Sequence, residues 1–386
     1  MADRARIDTY LARLGVANPR SVPLGPAPWL TSAFSSEPAA DFLANATGVR
    51  TTDFYTRYGN PTVRAFEDAI AHLEGTGAAF ATSSGMAALS LALTTFTAAG
   101  GRVFAQDALY GGTETLLGIL ENQFGAEIVR FGTGNPDALR QALRPGGCAA
   151  LFETPANALL EITDLEASAR ACREAGVVSI VDSTIATPIN QRPASHGIDL
   201  VVHSATKAIG GHGDFMGGVI AGSTRMIEQI WERAHILGSF MDPFTAWLGI
   251  RSLRTLPLRV DRLDSNALAL AAALEGHPRV RAVHYPGLDS HAGHAVASRQ
   301  MKGYGGVLSI ELEGGADAAE AVIARFAGAR RSASFGGPAT LVVRPAAMWA
   351  GLSEQGAGRA PPGLLRIGVG LEGTDTLLEE VLAALS

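Results

Sequence analysis

The 386-residue sequence has only two cysteines, Cys148 and Cys172, and they form no C-x-x-C pair. Two cysteines are too few for a disulfide framework, so we expect a protein of the reducing cytoplasm, with both thiols filling the core. The sequence also lacks an apolar run near the roughly eighteen residues that a membrane span needs. Its first residues lack the apolar stretch of a signal peptide. We therefore expect neither a membrane protein nor an exported one.

Positive charge is also scarce, with 31 basic against 37 acidic side chains and a formal net charge of −6. Because nucleic-acid binding needs a basic surplus or a basic face, we expect no nucleic-acid partner. His291 and His294 have no cysteine or third histidine close in sequence, so no metal site is expected. Hydrophobic residues make up 47% of the chain, which is sufficient for one or two sizeable cores and excludes a disordered tail protein.

The chain divides into three regions by pattern. Residues 1–58 combine a short amphipathic helix with an irregular arm that is rich in proline (Pro19, Pro23, Pro26 and Pro28). That arm has few residues from which to build a core, so we expect it to lie across another surface. Residues 59–244 are predicted to form a large domain and residues 245–386 a smaller C-terminal α/β domain.

The large domain alternates short apolar runs with longer helical stretches, which is typical of βαβ units on a mostly parallel sheet. Its predicted strands are 78–82, 102–105, 149–152, 177–181, 200–203 and 218–221, and its helices include 86–97, 164–175 and 225–234. In the C-terminal domain the pattern predicts a long helical segment at 243–273, strands at 307–312 and 339–343, and a terminal helix.

The residues that follow the predicted strands carry the chemistry, because open parallel sheets bind ligands outside the carboxyl ends of their strands. Residues 83–86 open a helix through a glycine-containing turn, which suits a phosphate, and the hydroxyls of Ser204 and Thr206 add donors. Asp182 at a buried strand end suits a protonated ring nitrogen, and Lys207 suits a Schiff base with an aldehyde. Phosphate, ring nitrogen and aldehyde together indicate pyridoxal 5′-phosphate (PLP).

At these residues the sequence resembles the PLP-dependent Cys/Met metabolism family, the group of cystathionine γ-synthase, γ-lyase, β-lyase and methionine γ-lyase. Eight motifs occur in the family's order: FYTRYGNPT (54–62), SSGMAA (83–88), DALYGGT (107–113), ETPAN (153–157), VDSTIATP (181–188), VVHSATKAIGGHGD (201–214), HYPGL (284–288) and LLRIGVGLE (364–372). The resemblance runs from about residue 25 to the end. It implies fold type I, with a mostly parallel seven-stranded sheet flanked by helices, a smaller C-terminal domain and an N-terminal arm.

The resemblance also implies roles for matching positions. Lys207, Tyr110 and Asp182 would be catalytic: Lys207 forms the Schiff base and moves protons, Asp182 keeps the ring nitrogen protonated, and Tyr110 stacks on the ring. The implied cofactor-binding residues are Tyr55, Arg57, Ser84, Gly85, Met86, Tyr110, Asn157, Asp182, Ser204, Thr206 and Lys207. The implied substrate-binding residues are Ser334, Tyr55 and Arg366, the last of which would hold the α-carboxylate through two parallel hydrogen bonds.

The same resemblance implies that Tyr55 and Arg57 reach into a neighbouring subunit, so a dimer would be the smallest active unit and a pair of dimers the usual assembly. The implied reaction is γ-elimination or γ-replacement on a γ-substituted L-amino acid, such as an O-activated homoserine or cystathionine. Lys207 would remove the α-proton, a second proton would leave Cβ, and the γ-substituent would depart. Glu153 is equally compatible with a structural and an indirect supporting role.

Several positions depart from the family pattern, and we expect them to alter the pocket for the substrate side chain. Ala339 replaces an acidic or other polar residue, Arg344 replaces a histidine, and Gly112 replaces the cysteine of methionine γ-lyases. Asp264, with Leu263 before it, replaces an Arg/His-type helix position. A leaving group other than a thiol therefore stays open. So do β-elimination, another fold type I activity such as transamination, and a catalytically idle scaffold relative.

Overall fold

The structure, a computed structural model, describes residues 2–12, 25, 27–349 and 360–386. Pro19, Pro23 and Pro26 of the expected arm lie outside the described residues. Across the described ranges, no helix combines the length and the apolar character that crossing a membrane requires.

A seven-stranded sheet organises the first two thirds of the chain. Its strands are β1 (Ala78–Thr82), β2 (Arg102–Gln106), β3 (Glu127–Phe131), β4 (Ala149–Glu153), β5 (Val178–Asp182), β6 (Leu200–His203) and β7 (Gly218–Gly222). Their spatial order is β1-β7-β6-β5-β4-β2-β3, and β7 alone runs antiparallel to its neighbours. The sheet is therefore mostly parallel, as the resemblance implied.

A second, five-stranded sheet lies nearer the C-terminus. Its strands are β8 (Val280–His284), β9 (Val307–Leu312), β10 (Arg330–Arg331), β11 (Leu341–Val343) and β12 (Leu364–Gly368), in the order β10-β11-β12-β9-β8. Only the short β10–β11 pair is parallel. One core packs this sheet against helices from the C-terminal part of the chain, and Tyr285 and Leu365 are fully buried within it.

The helices of the described residues are α1 (Ala2–Ala12), α2 (Ala39–Thr47), α3 (Pro61–Glu74), α4 (Gly85–Phe96), α5 (Gly111–Phe124), α6 (Pro136–Leu143), α7 (Leu165–Ala175), α8 (Thr187–Asn190), α9 (Thr224–Leu237), α10 (Pro243–Leu253), α11 (Leu256–Leu274), α12 (His294–Gln300), α13 (Gly315–Arg325), α14 (Pro345–Trp349) and α15 (Thr374–Leu385), with a 3₁₀ turn at Pro193–His196. Ser84, Asp164 and Ser223 cap helices through side-chain oxygens that accept backbone N–H groups. Gly125 and Gly176 end helices in the left-handed conformation.

Alternation along the strands explains why helices cover both faces of the large sheet. Phe80 lies in a core with residues of α4, α5 and α9, whereas its neighbours Ala79 and Ala81 pack on the opposite face against α3 and α10. Because successive side chains of a strand point to opposite faces, strands that are apolar throughout are buried on both sides. The strand ends then become the place where polar groups reach solvent.

The predicted strands of the large sheet all coincide with observed ones to within one residue at each end. β3 was missed, because its sequence EIVRF is only partly buried and carries two charges. The predicted helix 243–273 is wrong as a single element, since α10 ends at Leu253 and α11 begins at Leu256. Pro257 explains the break, because in a continuous helix it would have no N–H to donate to the carbonyl of Leu253 and its ring would clash with that carbonyl, whereas the first turn of a new helix tolerates it.

The predicted irregular arm contains a helix, α2, that the sequence interpretation did not anticipate, and none of its residues is buried. The arm is tied to the large sheet at Arg50. Its Nη2 donates to Glu67 Oε2 at 3.0 Å and to the carbonyl of Ala79 at 2.6 Å, while Glu67 Oε1 accepts the N–H of Ala81 at 2.9 Å. This buried ion pair anchors the arm to the sheet just before the segment that carries Tyr55 and Arg57.

Candidate active site

One edge of the large sheet gathers the predicted chemistry, because β1, β4, β5 and β6 all end there. A cavity of about 220 Å³ opens at this edge. Its lining residues are Ser84, Gly85, Met86, Leu89, Tyr110, Glu153, Asn157, Asp182, Thr184, Ile185, Ser204, Thr206, Lys207, Met216, Ala333, Phe335 and Arg366. The large sheet contributes most of them, and β12 of the small sheet contributes Arg366.

The N-terminus of α4 forms one end of the cavity. Ser84 Oγ accepts the N–H of Ala87 at 3.1 Å, so this predicted ligand also caps the helix. A Cβ atom on Gly85 would lie 2.7 Å from Ser204 Cβ, so only glycine permits the helix start to approach the β6 turn this closely. The first N–H groups of a helix have no intrahelical acceptor, and they attract anions.

The two hydroxyls beside α4 differ in their availability. Ser204 uses its backbone N–H to donate to Thr184 Oγ1 at 2.8 Å, and its own hydroxyl faces the cavity without a partner among the described residues. Thr206 Oγ1 already donates to the carbonyl of Gly217 at 3.1 Å and accepts its N–H at 3.0 Å. Ser204 is therefore the freer donor for an anion.

Asp182 is the last residue of β5, and it lines the cavity. Its Oδ1 accepts from the backbone N–H of Thr184 at 3.0 Å and from the Thr184 hydroxyl at 2.5 Å. Its Oδ2 has no hydrogen-bond partner within the described part of the chain. One oxygen thus fixes the carboxylate, and the other remains for a ligand.

Glu153 lies beside Asp182 in register, at the end of β4. Its Oε2 accepts the N–H of Tyr110 at 2.7 Å, and its Oε1 accepts the N–H of Asn157 at 2.8 Å. Glu153 therefore holds the backbone of two predicted ligand residues in place, which is compatible with both of its predicted roles.

Lys207 and Arg366 are joined through the loop that carries Ser334. Lys207 Nζ donates to Ser334 Oγ at 2.9 Å. Arg366 Nη2 donates to the carbonyls of Ala333 at 2.8 Å and Ser334 at 3.2 Å, and Nη1 makes a 3.4 Å contact with Asn157 Oδ1. Arg366 is only 2% exposed, and its Nε has no hydrogen-bond partner among the residues that the structure describes.

Burial shifts the pKa values of the four charged groups in the cavity. It raises the pKa of Glu153 to about 8, an effect to which the charge of Asp182 adds, and it raises the pKa of Asp182 against the opposing hydrogen bonds from Thr184. It lowers the pKa of Lys207 to about 8, with the charge of Arg366 adding, and it lowers the pKa of Arg366 to about 10. In each case the protein supplies too little opposite charge to offset the cost of burying the ionised form.

Tyr110 stands at the mouth of the cavity, 42% exposed. A Cβ on Gly112 would lie 2.6 Å from Tyr110 Cε1 and 3.1 Å from Met86 Sδ. Gly112 therefore leaves space for the Tyr110 ring. A side chain at residue 112 would force that ring to move.

Tyr55 and Arg57 do not line this cavity. Arg57 Nη1 donates to the carbonyl of His235 at 2.5 Å, and its guanidinium lies 5.5 Å from the centre of the Tyr55 ring. Both residues sit at the surface of the arm, so within a single chain the structure does not bring them to the other predicted ligands.

The departures from the family pattern lie outside the cavity lining. Arg344 Nε donates to Glu320 Oε1 at 2.9 Å on the surface of the small sheet. Asp264, which is half-buried, accepts at Oδ1 from Asn190 Nδ2 at 2.9 Å and from the N–H of Gly305 at 2.8 Å. Ala339 does not reach the lining either. None of these three residues lines the described cavity, and their effect on the pocket for the substrate side chain stays a prediction.

Seven lining residues were not among the predicted ligands: Leu89, Glu153, Thr184, Ile185, Met216, Ala333 and Phe335. Thr184 carried a signal, because it follows Asp182 by two residues at a strand end. Phe335 and Ala333 carried none beyond their adjacency to Ser334, since they come from a loop of the small sheet that only the fold brings to this edge.

The residues present fit PLP. The glycine cradle between α4 and Ser204 suits the phosphate, the free Asp182 oxygen suits a protonated ring nitrogen, and the unpaired Arg366 Nε suits a substrate carboxylate. Each of these groups lacks a hydrogen-bond or charge partner among the described residues. A ligand of opposite charge or matching hydrogen-bond type would supply that partner.

Comparison with known proteins gives a consistent result. A family model described as "Cys/Met metabolism PLP-dependent enzyme" matches residues 14–386. The chain is 36% identical to the O-succinylhomoserine sulfhydrylase of Pseudomonas aeruginosa over 99% of this chain and 96% of that protein. It is 37% identical to the cystathionine γ-lyase of Bacillus subtilis over 86% of this chain and 88% of that protein.

The fold agrees. The crystal structure of cystathionine γ-synthase from Xanthomonas oryzae pv. oryzae in complex with cystathionine superposes with a TM-score of 0.92 at 35% identity, covering 98% of this chain and 97% of that one. A match of this extent includes both sheets and the cavity between them. The chain therefore belongs to the Cys/Met metabolism family of PLP-dependent enzymes, and it has their fold type I architecture and their cofactor.

Proposed function

We propose that the protein catalyses γ-elimination or γ-replacement on a γ-substituted L-amino acid, with an O-activated homoserine or cystathionine as the substrate class. One observation carries the proposal: a single cavity holds Lys207, Asp182 and Arg366, each buried and each short of a counter-charge. The relatives' names support the γ-position, since they include an O-succinylhomoserine sulfhydrylase, a cystathionine γ-lyase and L-methionine γ-lyases.

The proposed cofactor ligands follow from the geometry. The α4 N-terminus at Gly85 and Met86, with Ser204 and Thr206, would hold the phosphate. Asp182 would hold the ring nitrogen, Asn157 the ring oxygen, and Tyr110 a face of the ring. When bound, PLP supplies an aldehyde carbon and a ring that accepts electrons from the substrate.

Lys207 is proposed as the group that moves protons. Because burial lowers its pKa to about 8, more of the amine is neutral near physiological pH than in an ordinary lysine, and the neutral amine accepts a proton. Ser334 Oγ holds Nζ on the cavity side at 2.9 Å. From there Nζ is placed to take the proton from the substrate Cα and then to serve the neighbouring Cβ.

Arg366 is proposed to bind the substrate carboxylate. Two of its donors, the unpaired Nε and the weakly engaged Nη1, are available, and the guanidinium is held by two backbone carbonyls. A carboxylate would complete both the charge and the hydrogen bonding of this buried group. The α-carbon of an amino acid is thereby placed between Arg366 and Lys207.

Product analysis tests the proposed function. Purified protein with PLP is incubated with cystathionine, and separately with O-succinylhomoserine with and without a thiol. We expect 2-oxobutanoate and ammonia, or a thioether when the thiol is present, and we expect Lys207→Ala to give none of these because the proton acceptor is lost. Pyruvate from cystathionine would instead establish β-elimination. A protein that stays colourless with added PLP and forms no product would contradict the proposal.

Gly85→Ala tests the phosphate site. The new Cβ would clash with Ser204 Cβ, and relieving such an overlap costs about 1–3 kcal/mol, so we expect PLP to dissociate about tenfold or more readily. Equilibrium dialysis measures the dissociation constant. Gly118→Ala is the matched control, because nothing lies within 4 Å of its Cβ position in α5. Equal affinities of the two variants would place the phosphate elsewhere.

We further propose that the working form is a homo-oligomer, a dimer of dimers in the cytoplasm, whose active sites are shared across each dimer. Tyr55 is 40% exposed, and Ile236 and Leu237, next to the His235 carbonyl that binds Arg57, are 71% and 64% exposed. Exposed apolar side chains clustered around an arm suit the surface of a second copy. Cys148 and Cys172 are free, in keeping with a reducing compartment.

Complementation between two inactive variants tests the sharing. Arg57→Ala and Lys207→Ala chains are co-expressed. If Arg57 serves the partner's site, random pairing yields half hybrids with one intact site in two, or about a quarter of wild-type activity. Co-expression of Lys207→Ala with Asp182→Ala is the control, since no combination restores a site. Activity no higher than in that control would show that Arg57 does not act across the dimer.

A further inference from the structure

Phe335 contacts the two cations of the cavity at once. The centre of its ring lies 5.0 Å from Lys207 Nζ and 5.4 Å from Arg366 Cζ. It also lines the cavity, in the loop between β10 and β11. No other aromatic ring of the described residues lies this close to two cations from different parts of the chain.

The small sheet is shaped to admit this ring. A Cβ on Gly368 would lie 2.6 Å from Phe335 Cβ, so the glycine of β12 lets the Phe335 backbone lie directly against the strand that carries Arg366. Ser334, the preceding residue, accepts from Lys207 Nζ through its hydroxyl and from Arg366 through its carbonyl. The loop therefore fixes the ring relative to both cations.

An aromatic ring is suited to this position by its charge distribution. Lys207 and Arg366 repel each other, and neither forms an ion pair with a carboxylate of the described residues. The face of an aromatic ring carries negative potential, and it attracts a cation more strongly when the pair is shielded from water. An aliphatic side chain of the same size would fill the space without this attraction.

We propose that Phe335 is a positioning residue of the active site, whose ring keeps the Lys207 amine and the Arg366 guanidinium side by side and oriented toward a bound amino acid. The proposal rests on the proposed function in one respect, that these two groups serve the substrate. The ring's effect on the cations is a property of the protein itself, and it is measurable without turnover.

Lysine labelling measures that effect. The sequence contains two lysines, Lys207 and Lys302, and Lys302 is exposed and lies outside the cavity lining, so its labelling in each variant is the internal comparison in the same sample. The full-length chain, stripped of PLP, is pulse-labelled with an amine reagent between about pH 6 and pH 10, and peptide mass spectrometry follows each lysine. The other titratable groups that line the cavity around Lys207 are Tyr110, Glu153, Asp182 and Arg366.

For Phe335→Leu we expect the labelling midpoint of Lys207 to fall by about half to one pH unit, because the protonated amine loses a favourable partner. Phe335→Tyr, which keeps the ring, is expected to retain the wild-type midpoint. In the PLP-loaded protein, Phe335→Leu should raise the KM for the amino acid about three- to tenfold and change kcat less, because Arg366 loses its orientation. Phe124→Leu, on an exposed surface of α5, is the control.

Unchanged midpoints in Phe335→Leu would overturn the proposal, as would an equal shift in Phe335→Tyr. A labelling rate that rises equally at every pH would also overturn it, since that reports easier access rather than altered charge. Should Phe335→Leu fail to fold, Phe335→Met replaces it with the same expectations. If no substrate turns over in any variant, the labelling result still stands, so failure of this inference and failure of the proposed function are distinguishable.

Discussion

The site depends on charged side chains that are buried without close partners of opposite charge. Two acids, Glu153 and Asp182, end neighbouring strands, and two cations, Lys207 and Arg366, face the same cavity. Burying a charge without a close partner is costly, and the pKa shifts of all four groups record that cost. A ligand with a cationic ring nitrogen near Asp182 and a carboxylate near Arg366 removes the imbalance.

The rest of the architecture serves this arrangement. Parallel strands bring the ends of β1, β5 and β6 to one edge, so the proposed phosphate donors, ring-nitrogen acid and Schiff-base lysine come from residues far apart in sequence. The small sheet adds what the large one lacks: Arg366 on β12, and the loop with Ser334 and Phe335 that holds both cations. The cavity thus depends on the docking of one sheet against the other, which couples substrate binding to the packing between them.

The sequence predicted those parts of the site that follow buried strands, because local pattern alone places them at the sheet edge. It did not predict that Thr206 is already engaged by Gly217, that Glu153 supports two ligand residues through its carboxylate, or that Phe335 reaches the cations. Those features depend on distances across the fold. Ala339 and Arg344 are not among the residues that line the cavity, and their expected effect on the pocket for the substrate side chain stays a prediction.

We propose that the buried amine of Lys207 is the group that joins the cofactor. Borohydride reduction of the PLP-loaded protein, followed by peptide mass spectrometry, tests it most directly, since reduction makes the link between lysine and cofactor permanent. With two lysines in the chain the outcome is unambiguous. We expect a pyridoxyl-phosphate adduct on Lys207 and an unmodified Lys302. An adduct on Lys302 alone, or no adduct in protein that has bound the cofactor, would contradict it.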